Sequence, residues 1–469
     1  MTALRKTKII ATLGPATGSP EKIRELILGG AHIFRLNMSH APHDWAREMV
    51  ATIRATATEL QTNVATLVDL QGPSIRTGDV DGKIPLTKGD TVEFRNAGLT
   101  PASPVSITTN YDKLHEDVSV DDVMLVDNGE IHFRIKQIEE GRLTCEVLTD
   151  GLMGSRRHIN LPGIRVNLPP LTEKDMLDIR LAAELDVDFI AISFVRDAEH
   201  ISCLREQLQQ RDCNARIIAK IEDQEALKHL AGIILESDAV MVARGDLGIE
   251  VHIEELPIVQ RTIVKECARL GRKVIVATHM LESMIESPVP TRAEVTDVAN
   301  AVYEQADAVM VSGETSVGHY PVKCIEILDR IAKRMEREPG AGFSAAIELD
   351  NEKQFTVKSA VVLANSLENS KLVIFTARGV LANYAAHQRP LKADIFAFCP
   401  DDRVVRALLM NRGVTPFQME FADHPEDSIR NALEFLKERN LIETGDSVVI
   451  LSDVLNRDFD TEAILLRKA

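Results

Sequence analysis

The side chains best suited to take part in a reaction are those of Lys220 and Glu222, which lie at the end of the apolar run RIIAKIED. If this run is a β-strand, side chains two positions apart share a face, so the ammonium and carboxylate groups point to the same side. Two charges at the end of a buried strand cost free energy unless they pair or do chemistry. A structural ion pair is the alternative to a functional one.

A second carboxylate follows the next apolar run, in MVARGDLG. Gly245 lets the backbone approach a ligand and present amide hydrogens to an anion, and Asp246 comes directly after it. Glu222 and Asp246 would then be oxygen ligands on neighbouring strands. Because two carboxylates with open coordination positions suit Mg²⁺ or Mn²⁺, the pair predicts a divalent metal site that takes further ligands from a substrate.

Polar side chains also end other apolar runs. Arg35, Asn37 and Ser39 alternate along one face of FRLNMSH, although a polar strand edge that pairs with nearby loops would look the same. Thr278 in VIVATHM is an ordinary strand-end cap when taken alone. Together with Lys220 and the carboxylates, these groups supply the charge neutralisation and positioning that phosphoryl transfer needs. The sequence lacks a P-loop motif, which disfavours that class of phosphotransferase.

Eight β-branched runs alternate with segments of helical periodicity, a pattern typical of parallel β/α architecture. The runs are 8–13, 32–38, 64–70, 188–195, 215–221, 239–242, 273–277 and 308–311. Eight such strands predict a closed (β/α)8 TIM barrel, where chemistry lies at the carboxyl ends of the strands. Ser19 and Pro20 predict the start of the first helix, Gly29-Gly30 its end, and Thr172 with Asp175 a capping box.

One interval breaks this alternation. Between about 72 and 170 the chain has short strand-like pieces separated by Gly, Pro, Asp and Asn, which predict an inserted, β-barrel-like lid domain. After residue 338, a linker-like stretch precedes strand candidates at 372–376, 394–399 and 447–451, which predict a C-terminal α/β domain. The predicted domains are 1–71 (barrel, first part), 72–169 (β-rich lid), 170–338 (barrel, second part) and 339–469 (C-terminal α/β domain).

Composition argues against several classes of partner. The chain has 469 residues and a formal net charge of −17, which repels nucleic-acid phosphate when no basic patch offsets it. No run reaches the roughly 18 apolar residues needed to cross a bilayer, and the start lacks the pattern of a signal peptide. We therefore expect a cytoplasmic protein that binds neither nucleic acid nor membrane. The cysteines form no C-x-x-C pair, which favours buried free thiols.

Eight sequence blocks occur in order between residues 8 and 321, namely KIIATLGPAT, FRLNMSH, DLQGPSIRTG, INLPG, AKIED, MVARGDLG, ATHMLESM and SGETSVGHYP. They resemble the signature blocks of pyruvate kinases. The resemblance implies a barrel with an inserted β-rich domain and a C-terminal α/β domain. It also implies phosphoryl transfer from phosphoenolpyruvate to ADP, which gives pyruvate and ATP in the last step of glycolysis, and a homotetrameric assembly.

The resemblance further implies roles at the phosphoryl-transfer site. Glu222 and Asp246 would bind Mg²⁺ or Mn²⁺, which bridges the carboxylate and phosphate of phosphoenolpyruvate. Lys220 would neutralise the phosphoryl group in flight. The amides of Gly245 and Asp246 would hold the substrate carboxylate.

Other roles implied by the resemblance concern the two substrates. Arg35 and Arg76 would contact the phosphoryl oxygens, and Thr278 would orient the enolate or its proton donor. The residues expected to meet ADP or ATP are Asn37, Met38, Ser39, His40, Arg76 and Arg157. A second metal ion is expected to arrive with ADP.

The sequence departs from the family pattern around a candidate potassium site formed by Asn37, Ser39, Asp69 and Leu70. Leu70 removes a hydroxyl group that potassium-dependent members use to hold K⁺. Ser74 stands where potassium-independent members place a lysine. The need for K⁺ stays open at this point, with an inclination towards independence.

Two further positions differ from the family. His279 stands where glutamine is common, either as a tolerated substitution near the site or as a modulator of proton delivery to the enolate. In the C-terminal loop FTARGVLANYAAHQRP, Val380 and Leu381 remove donors that activated members use to grip a sugar phosphate, although Arg378 could contact an anion. We therefore predict weak or no activation by fructose 1,6-bisphosphate.

Two other functions stay open from the sequence alone. A Mg-dependent lyase for pyruvate-type substrates would also hold its metal on Glu and Asp, but it would not need the lid or FRLNMSH. A catalytically silent relative that only binds phosphoenolpyruvate is suggested by Ser74 and His279. Every charged residue of the transfer site is nevertheless present.

Overall fold

The structure is a computed structural model that describes residues 4–452 and 463–469. The predicted domains 1–71 and 339–469 therefore each include residues outside this part of the chain, namely 1–3 and 453–462. The first stretch contains β1 (Lys8–Thr12), α1 (Pro20–Gly29), β2 (Ile33–Asn37), α2 (His43–Glu59) and β3 (Ala65–Asp69).

The second stretch consists almost entirely of strands. It contains β4 (Ile75–Arg76), β5 (Ile84–Leu86), β6 (Thr91–Asn96), β7 (Ser106–Thr109), α3 (Leu114–Asp117), β8 (Val123–Val126), β9 (Ile131–Glu139), β10 (Arg142–Val147), β11 (Gly151–Met153) and β12 (His158–Asn160).

Strands and helices alternate again in the third stretch. It contains α4 (Glu173–Glu184), β13 (Phe189–Ile192), α5 (Ala198–Gln209), β14 (Arg216–Ile221), α6 (Gln224–Lys228), α7 (Leu230–Glu236), β15 (Ala239–Ala243), α8 (Arg244–Glu250), α9 (Leu256–Arg269), β16 (Lys273–Ala277), a 3₁₀ helix (Glu282–Ile285), α10 (Arg292–Tyr303), β17 (Ala308–Val311), α11 (Gly313–Ser316) and α12 (Pro321–Met335).

The last stretch is a second alternating unit. It contains a 3₁₀ helix (Phe343–Ala346), α13 (Glu352–Ser366), β18 (Ser370–Phe375), α14 (Val380–His387), β19 (Asp394–Cys399), α15 (Asp402–Leu408), β20 (Val414–Gln418), α16 (Pro425–Glu438), β21 (Ser447–Ser452) and β22 (Ala463–Lys468).

Eight parallel strands form a closed barrel in the order β1-β17-β16-β15-β14-β13-β3-β2, so the predicted barrel is confirmed. Each of the eight predicted runs overlaps one of these strands, with bounds that agree or differ by up to three residues. The largest difference is in β13, which ends at Ile192 instead of residue 195. The cause is Phe194, whose φ of 54° lies in the left-handed region that an extended strand cannot adopt.

The predicted helix ends are also confirmed. Ser19 accepts a hydrogen bond from the backbone N–H of Lys22, and Pro20 is the first residue of α1. Gly30 ends this helix with a φ of 107°, which a residue with a Cβ adopts only with strain. Before α4, Thr172 and Asp175 form a capping box, in which each side chain bonds the other residue's backbone N–H.

The inserted stretch forms a barrel-like sheet of its own, as predicted. Seven strands pair in the order β4-β12-β8-β9-β10-β6-β7, and β5 pairs with β11. A bridge between Thr77 and Thr109 connects the two edges of the seven-stranded sheet. The sheet encloses a separate apolar core, in which the rings of Phe94 and Phe133 pack edge to face with centroids 5.0 Å apart.

The C-terminal stretch forms a five-stranded sheet in the order β20-β19-β18-β21-β22, with β22 antiparallel to β21. The three strands predicted here are confirmed, whereas β20 and β22 were not predicted. Two side chains of this stretch, Leu409 and Met410, belong to the apolar cluster that fills the barrel interior. Within the described residues, no helix combines the length and apolar character needed to cross a bilayer.

Candidate active site

Lys220 lies near the carboxyl end of β14, and its ammonium group has three oxygen neighbours. Its Nζ lies 2.8 Å from Glu222 Oε1, 2.8 Å from Ser193 Oγ and 3.4 Å from Asp69 Oδ1. Burial alone would lower the pKa of Lys220, but the negative charges of Asp69, Glu222 and Asp246 outweigh burial and raise the pKa. Lys220 is therefore a permanent cation at the barrel rim.

Arg35 on β2 brings a second cation to this cluster. Its Nε donates a hydrogen bond to Asp69 Oδ2 at 2.7 Å, and its Nη1 donates to Thr12 Oγ1 at 3.1 Å. Burial would raise the pKa of Asp69, but the charges of Lys220 and Arg35 outweigh burial and lower the pKa. Asp69 is thus a carboxylate between two cations, although its Oδ1 accepts no hydrogen bond from any described residue.

Glu222 follows β14 directly and uses both carboxylate oxygens. Oε1 pairs with Lys220, and Oε2 accepts a hydrogen bond from the backbone N–H of Phe194 at 2.7 Å. Burial raises the pKa of Glu222, Lys220 opposes this increase, and the charge of Asp246 adds to it. The crowding of two carboxylates favours a further cation beside them.

Asp246 lies in the first turn of α8, directly after β15, and lines the same cavity as Lys220. The preceding amide is engaged, because the Gly245 N–H donates a hydrogen bond to Thr278 Oγ1 at 2.7 Å. Thr278 Oγ1 in turn donates to the carbonyl of Ala277 at 2.7 Å. A substrate carboxylate would have to displace Thr278 Oγ1 as the acceptor of the Gly245 amide.

Two consecutive residues after β16 have left-handed backbone conformations, with φ values of 64° at Thr278 and 54° at His279. This conformation is unfavourable for a β-branched residue, so surrounding contacts must hold it. Arg244 supplies them, because its Nη2 donates to the carbonyl of Thr278 at 2.6 Å while its Nη1 pairs with Asp297 at 2.7 Å. The side chain of His279 is largely exposed and lies 3.4 Å from Glu282.

Two arginines belong to the inserted sheet. Arg76 on β4 lines the cavity that Lys220 faces, and its Nε donates to Ser74 Oγ at 3.2 Å. Arg157 pairs with Asp127 at 3.2 Å, and its Nε is buried without a hydrogen-bond partner in the described part of the chain. Arg76 is therefore at the candidate site, whereas Arg157 faces a carboxylate of its own sheet.

The turn after β2 is fixed by hydrogen bonds. Asn37 Oδ1 accepts a hydrogen bond from the Ser39 N–H at 3.2 Å. Met38 is buried, and its carbonyl accepts a hydrogen bond from Lys174 Nζ at 2.7 Å. His40 is exposed and lines a second cavity.

The second cavity adjoins the first, because Arg35 and Asn37 line both. Trp45, the single tryptophan of the chain, lines the second cavity together with Pro42 and His40. An indole ring beside mostly apolar walls suits a flat aromatic group, while the shared arginine suits an anion. The pair of cavities can accommodate a ligand with one aromatic part and one anionic part.

The structure brings most of the predicted site residues together in the first cavity. Its lining includes Arg35, Asn37, Ser39, Leu70, Arg76, Lys220, Glu222 and Asp246. Asp69 lies behind this lining, in contact with Arg35 and Lys220. The predicted residues outside the lining are Met38, His40, Arg157, Gly245 and Thr278.

Several lining residues were not predicted from the sequence, and of these Ser193, Phe194 and His158 contact the charged cluster or each other. Ser193 accepts from Lys220 and donates to the carbonyl of Leu70 at 2.8 Å. The rule that polar residues end barrel strands would have identified it, had the strand been ended at Ile192. His158 lies on the inserted sheet, and no local pattern connects it with the barrel.

The arrangement fits a divalent ion that takes part of its coordination from a ligand. Within residues 4–452 and 463–469, no group of three or more His, Cys, Asp and Glu side chains is arranged to hold a metal ion. Glu222 and Asp246 supply two hard oxygen donors on one cavity wall. Mg²⁺ and Mn²⁺ accept such a pair, because water and ligand phosphate or carboxylate complete their coordination.

Comparisons with known families cover both the barrel and the C-terminal unit. The family model described as "Pyruvate kinase, barrel domain" matches residues 4–325, and the one described as "Pyruvate kinase, alpha/beta domain" matches residues 354–463.

Individual relatives are similar in sequence to this chain over nearly its whole length. Plastidial pyruvate kinase 2 of Arabidopsis thaliana is 38% identical over 100% of this chain and 82% of its own length. A pyruvate kinase of Staphylococcus aureus is 36% identical over 96% of this chain and 78% of its own length. A crystal structure of a pyruvate kinase from Cryptosporidium parvum superimposes with a TM-score of 0.92 at 32% identity, covering 98% of this chain and 96% of that one. The chain with this rim of charged side chains belongs to the pyruvate kinase family.

Proposed function

We propose that this chain transfers the phosphoryl group of phosphoenolpyruvate to ADP, which gives pyruvate and ATP in the last step of glycolysis. The observation that carries the proposal is the cluster of Arg35, Asp69, Lys220 and Glu222 around one cavity that Asp246 also lines. It combines fixed cations for a phosphoryl group with carboxylates for a metal ion.

The phosphoryl group is held by cations. Lys220 places its charge where negative charge develops on the transferring group, and it is already oriented by Ser193 and Glu222. Arg35 and Arg76 line the same cavity and contact the phosphoryl oxygens. Because Asp69 and Ser74 hold the two guanidinium groups, little reorganisation is needed when the substrate binds.

Glu222 and Asp246 would hold the divalent cofactor, Mg²⁺ or Mn²⁺. Such an ion supplies Lewis-acid stabilisation of charge on the phosphate and carboxylate of phosphoenolpyruvate. Asn37, Ser39, Asp69 and the Leu70 carbonyl would form a monovalent-cation site, for which the unbonded Asp69 Oδ1 is a suitable ligand. We predict that turnover depends little on K⁺ at this site.

The substrate carboxylate binds at the amides of Gly245 and Asp246. The Gly245 amide exchanges its present acceptor, Thr278 Oγ1, for the carboxylate. This exchange frees Thr278 Oγ1 to accept another hydrogen bond while its O–H donates to the Ala277 carbonyl, and Thr278 then orients the enolate or its proton donor after phosphoryl transfer. The strained backbone at Thr278 supports a functional role, because strain of this kind persists where neighbouring contacts enforce it.

ADP binds across the two adjoining cavities. Its phosphates approach Arg35, Arg76 and the turn of Asn37, Met38, Ser39 and His40, with a second metal ion. The base lies beside Trp45. Arg157 would reach the nucleotide after a movement of the inserted sheet that releases it from Asp127.

The proposal also covers the domain bounds, the assembly and the location of the protein. The domain bounds 1–71, 72–169, 170–338 and 339–469 agree with the separate apolar clusters of the barrel, the inserted sheet and the C-terminal sheet. A homotetramer is the assembly we expect from family resemblance. The cytoplasmic location also stays a prediction, and several of the similar relatives are named as plastidial or chloroplastic proteins.

The direct test is an assay with phosphoenolpyruvate, ADP and Mg²⁺, coupled to lactate dehydrogenase and with a separate measurement of ATP. We expect equal amounts of pyruvate and ATP, and no product when ADP or the metal is omitted. Pyruvate without ATP would indicate a lyase or phosphatase activity. Binding of phosphoenolpyruvate without any turnover would indicate a silent relative, and either result would contradict the proposal.

A further inference from the structure

The short helix α8 connects the candidate metal site with the inserted sheet. Its first turn carries Gly245 and Asp246, and its last residues are Ile249 and Glu250. A helix of this length spans only about 10 Å at 1.5 Å per residue. The last turn of α8 is therefore next to the first turn in space, close enough for the position of one to affect the other.

The last turn of α8 makes a buried contact with the inserted sheet. Asn160, the last residue of β12, donates a hydrogen bond from Nδ2 to Glu250 Oε1 at 3.1 Å. Their relative exposures are only 5% and 8%. Beside this bond, a Cβ added to Gly129 of the inserted stretch would lie 3.4 Å from Ile249 Cγ2, which is ordinary van der Waals contact. The inserted stretch and the last turn of α8 therefore contact each other here as well.

The position of Glu250 is energetically costly. Burial raises the pKa of its carboxyl group to about 7, the hydrogen bond from Asn160 opposes this increase, and the charges of Asp223 and Asp246 add to it. The carboxyl group of Glu250 forms no salt bridge with a described Lys or Arg side chain, and Asn160 Oδ1 is buried without a partner there. A buried carboxyl group with an amide as its partner is a poor way to gain stability.

We infer that Asn160 and Glu250 are positioning residues, which couple the orientation of the inserted sheet to the affinity of Asp246 for the divalent ion. This inference rests on the proposed function, because it assumes that Asp246 is a metal ligand. The hydrogen bond holds the last turn of α8 to β12, and the helix carries that constraint to Asp246. By linkage, metal binding must restrain the inserted sheet by the same factor with which the sheet improves metal binding.

The first experiment uses the unaltered chain and Mn²⁺ alone. Hydrogen exchange of the amides in β12 and α8 is measured by mass spectrometry with and without saturating Mn²⁺. We expect exchange to become slower in both segments when Mn²⁺ binds. Slower exchange in α8 with no change in β12 would overturn the inference, because the metal site would then be uncoupled from the sheet.

The second experiment tests the hydrogen bond with variants whose Mn²⁺ affinity is measured by electron paramagnetic resonance. Asn160→Leu removes the donor at similar volume, and Mn²⁺ binding should weaken by about fivefold to thirtyfold, as expected for one lost buried hydrogen bond. The double variant Asn160→Asp, Glu250→Gln reverses donor and acceptor and should bind Mn²⁺ within about threefold of the unaltered chain, because the bond is kept.

The matched control is Glu225→Gln, which removes a carboxylate from the same cavity wall as Asn160 and Glu250 but one that pairs with Lys228. It should leave Mn²⁺ affinity and β12 exchange unchanged. Unaltered affinity in Asn160→Leu, or an equal loss in the reversed pair, would refute the coupling. If Asn160→Leu fails to fold, the reversed pair and the exchange of the unaltered chain decide the question.

These measurements are independent of the proposed reaction. Mn²⁺ binding and exchange are recorded without phosphoenolpyruvate or ADP. A chain that shows the coupling but makes no ATP would refute the proposed function alone. A chain that makes ATP but shows no coupling would refute only the role of Asn160 and Glu250.

Discussion

At the scale of single residues, the candidate site is a compact set of opposite charges that stability alone does not explain. Lys220 lies 2.8 Å from Glu222 and from Ser193, and it forms a longer ion pair of 3.4 Å with Asp69. Desolvating several charges costs free energy that their mutual attraction repays only in part, so apolar residues would stabilise this rim at least as well. The charges are better explained by the need to hold a phosphoryl group and a metal ion.

The first prediction concerns Lys220. Substituting Lys220→Met removes the central cation at similar side-chain length, and turnover should fall by roughly 100-fold to 1,000-fold or more, as for the loss of a principal group that stabilises transition-state charge. The coupled assay measures kcat and KM for phosphoenolpyruvate. Lys228→Met, which breaks a surface pair with Glu225, is the control and should retain nearly full activity. Full turnover in Lys220→Met would remove this residue from the mechanism.

The second prediction concerns K⁺ at Asp69. Because Arg35 and Lys220 already compensate the charge of Asp69, a monovalent cation would add little there. Rates measured in a K⁺-free buffer, with a large organic cation to keep the ionic strength constant, should differ little from rates with K⁺. A many-fold stimulation by K⁺ would show that the unbonded Asp69 Oδ1 needs the ion as its partner.

At the scale of elements, the alternation of side chains along a strand predicted only those site residues that lie at the end of a strand. Lys220 and Glu222 were predicted to share one face because they are two positions apart at the end of an apolar run, and the structure has their charged groups 2.8 Å apart although β14 ends between them at Ile221. Asp246 was predicted as a site residue because it follows β15. It lies in α8, so the alternation of side chains along a strand could not predict which way its side chain points. Ser193 was missed because the left-handed φ of Phe194, which ends β13 early, leaves no signal in the sequence.

Edge strands and contacts from other elements were harder to predict. The strand β20 is an edge strand that contains Pro416, and proline argues against a strand unless the strand lies at a sheet edge. Trp45 lies on α2, outside the strand ends that the sequence analysis searched. His158 and Asn160 reach the barrel from the inserted sheet. Such contacts depend on tertiary packing and have no sequence periodicity.

The third prediction belongs to the first turn of α14. Val380 begins this helix and Leu381 is fully buried, so neither can donate a side-chain hydrogen bond to a sugar phosphate, and Arg378 is an exposed cation beside them. Fructose 1,6-bisphosphate should leave the half-saturating concentration of phosphoenolpyruvate unchanged within about twofold, because a single exposed charge binds weakly. A large decrease in that concentration would show that other groups form an effector site.

At the scale of the whole molecule, the C-terminal unit completes the barrel. Leu409 and Met410 close the interior cluster at the end away from the charged rim. Lys8 is fully buried, and burial lowers its pKa to about 7 while its Nζ donates to the carbonyl of Val414 at 2.6 Å. Arg406 pairs with Asp188 at 2.6 Å across the same interface. These contacts join residues far apart in sequence, so the barrel and the C-terminal unit were predicted as separate and their shared apolar cluster was not.

The last prediction tests this interface through Arg389, which donates to both carboxylate oxygens of Asp307 at 2.5 and 2.6 Å. Burial would raise the pKa of Asp307, but Arg389 outweighs burial and the pKa is lowered. Arg389→Met leaves a buried carboxylate without its cation and should decrease the free energy of unfolding by about 3–5 kcal/mol, measured by urea denaturation at pH 7. Arg334→Met at the exposed Glu338 pair should change it by less than about 1 kcal/mol.

The pH dependence of the free energy of unfolding tests whether Arg389 stabilises the chain through the charge of Asp307. Because the folded-state pKa of Asp307 lies below its ordinary value, the pair stabilises the native chain at pH values above the ordinary pKa. This contribution is lost as the pH falls through the lowered pKa and Asp307 binds a proton. The difference between Arg389→Met and the unaltered chain should therefore decrease as the pH is lowered from 7 towards acid values. A difference that stays constant or increases would mean that Arg389 acts through packing and not through the charge of Asp307.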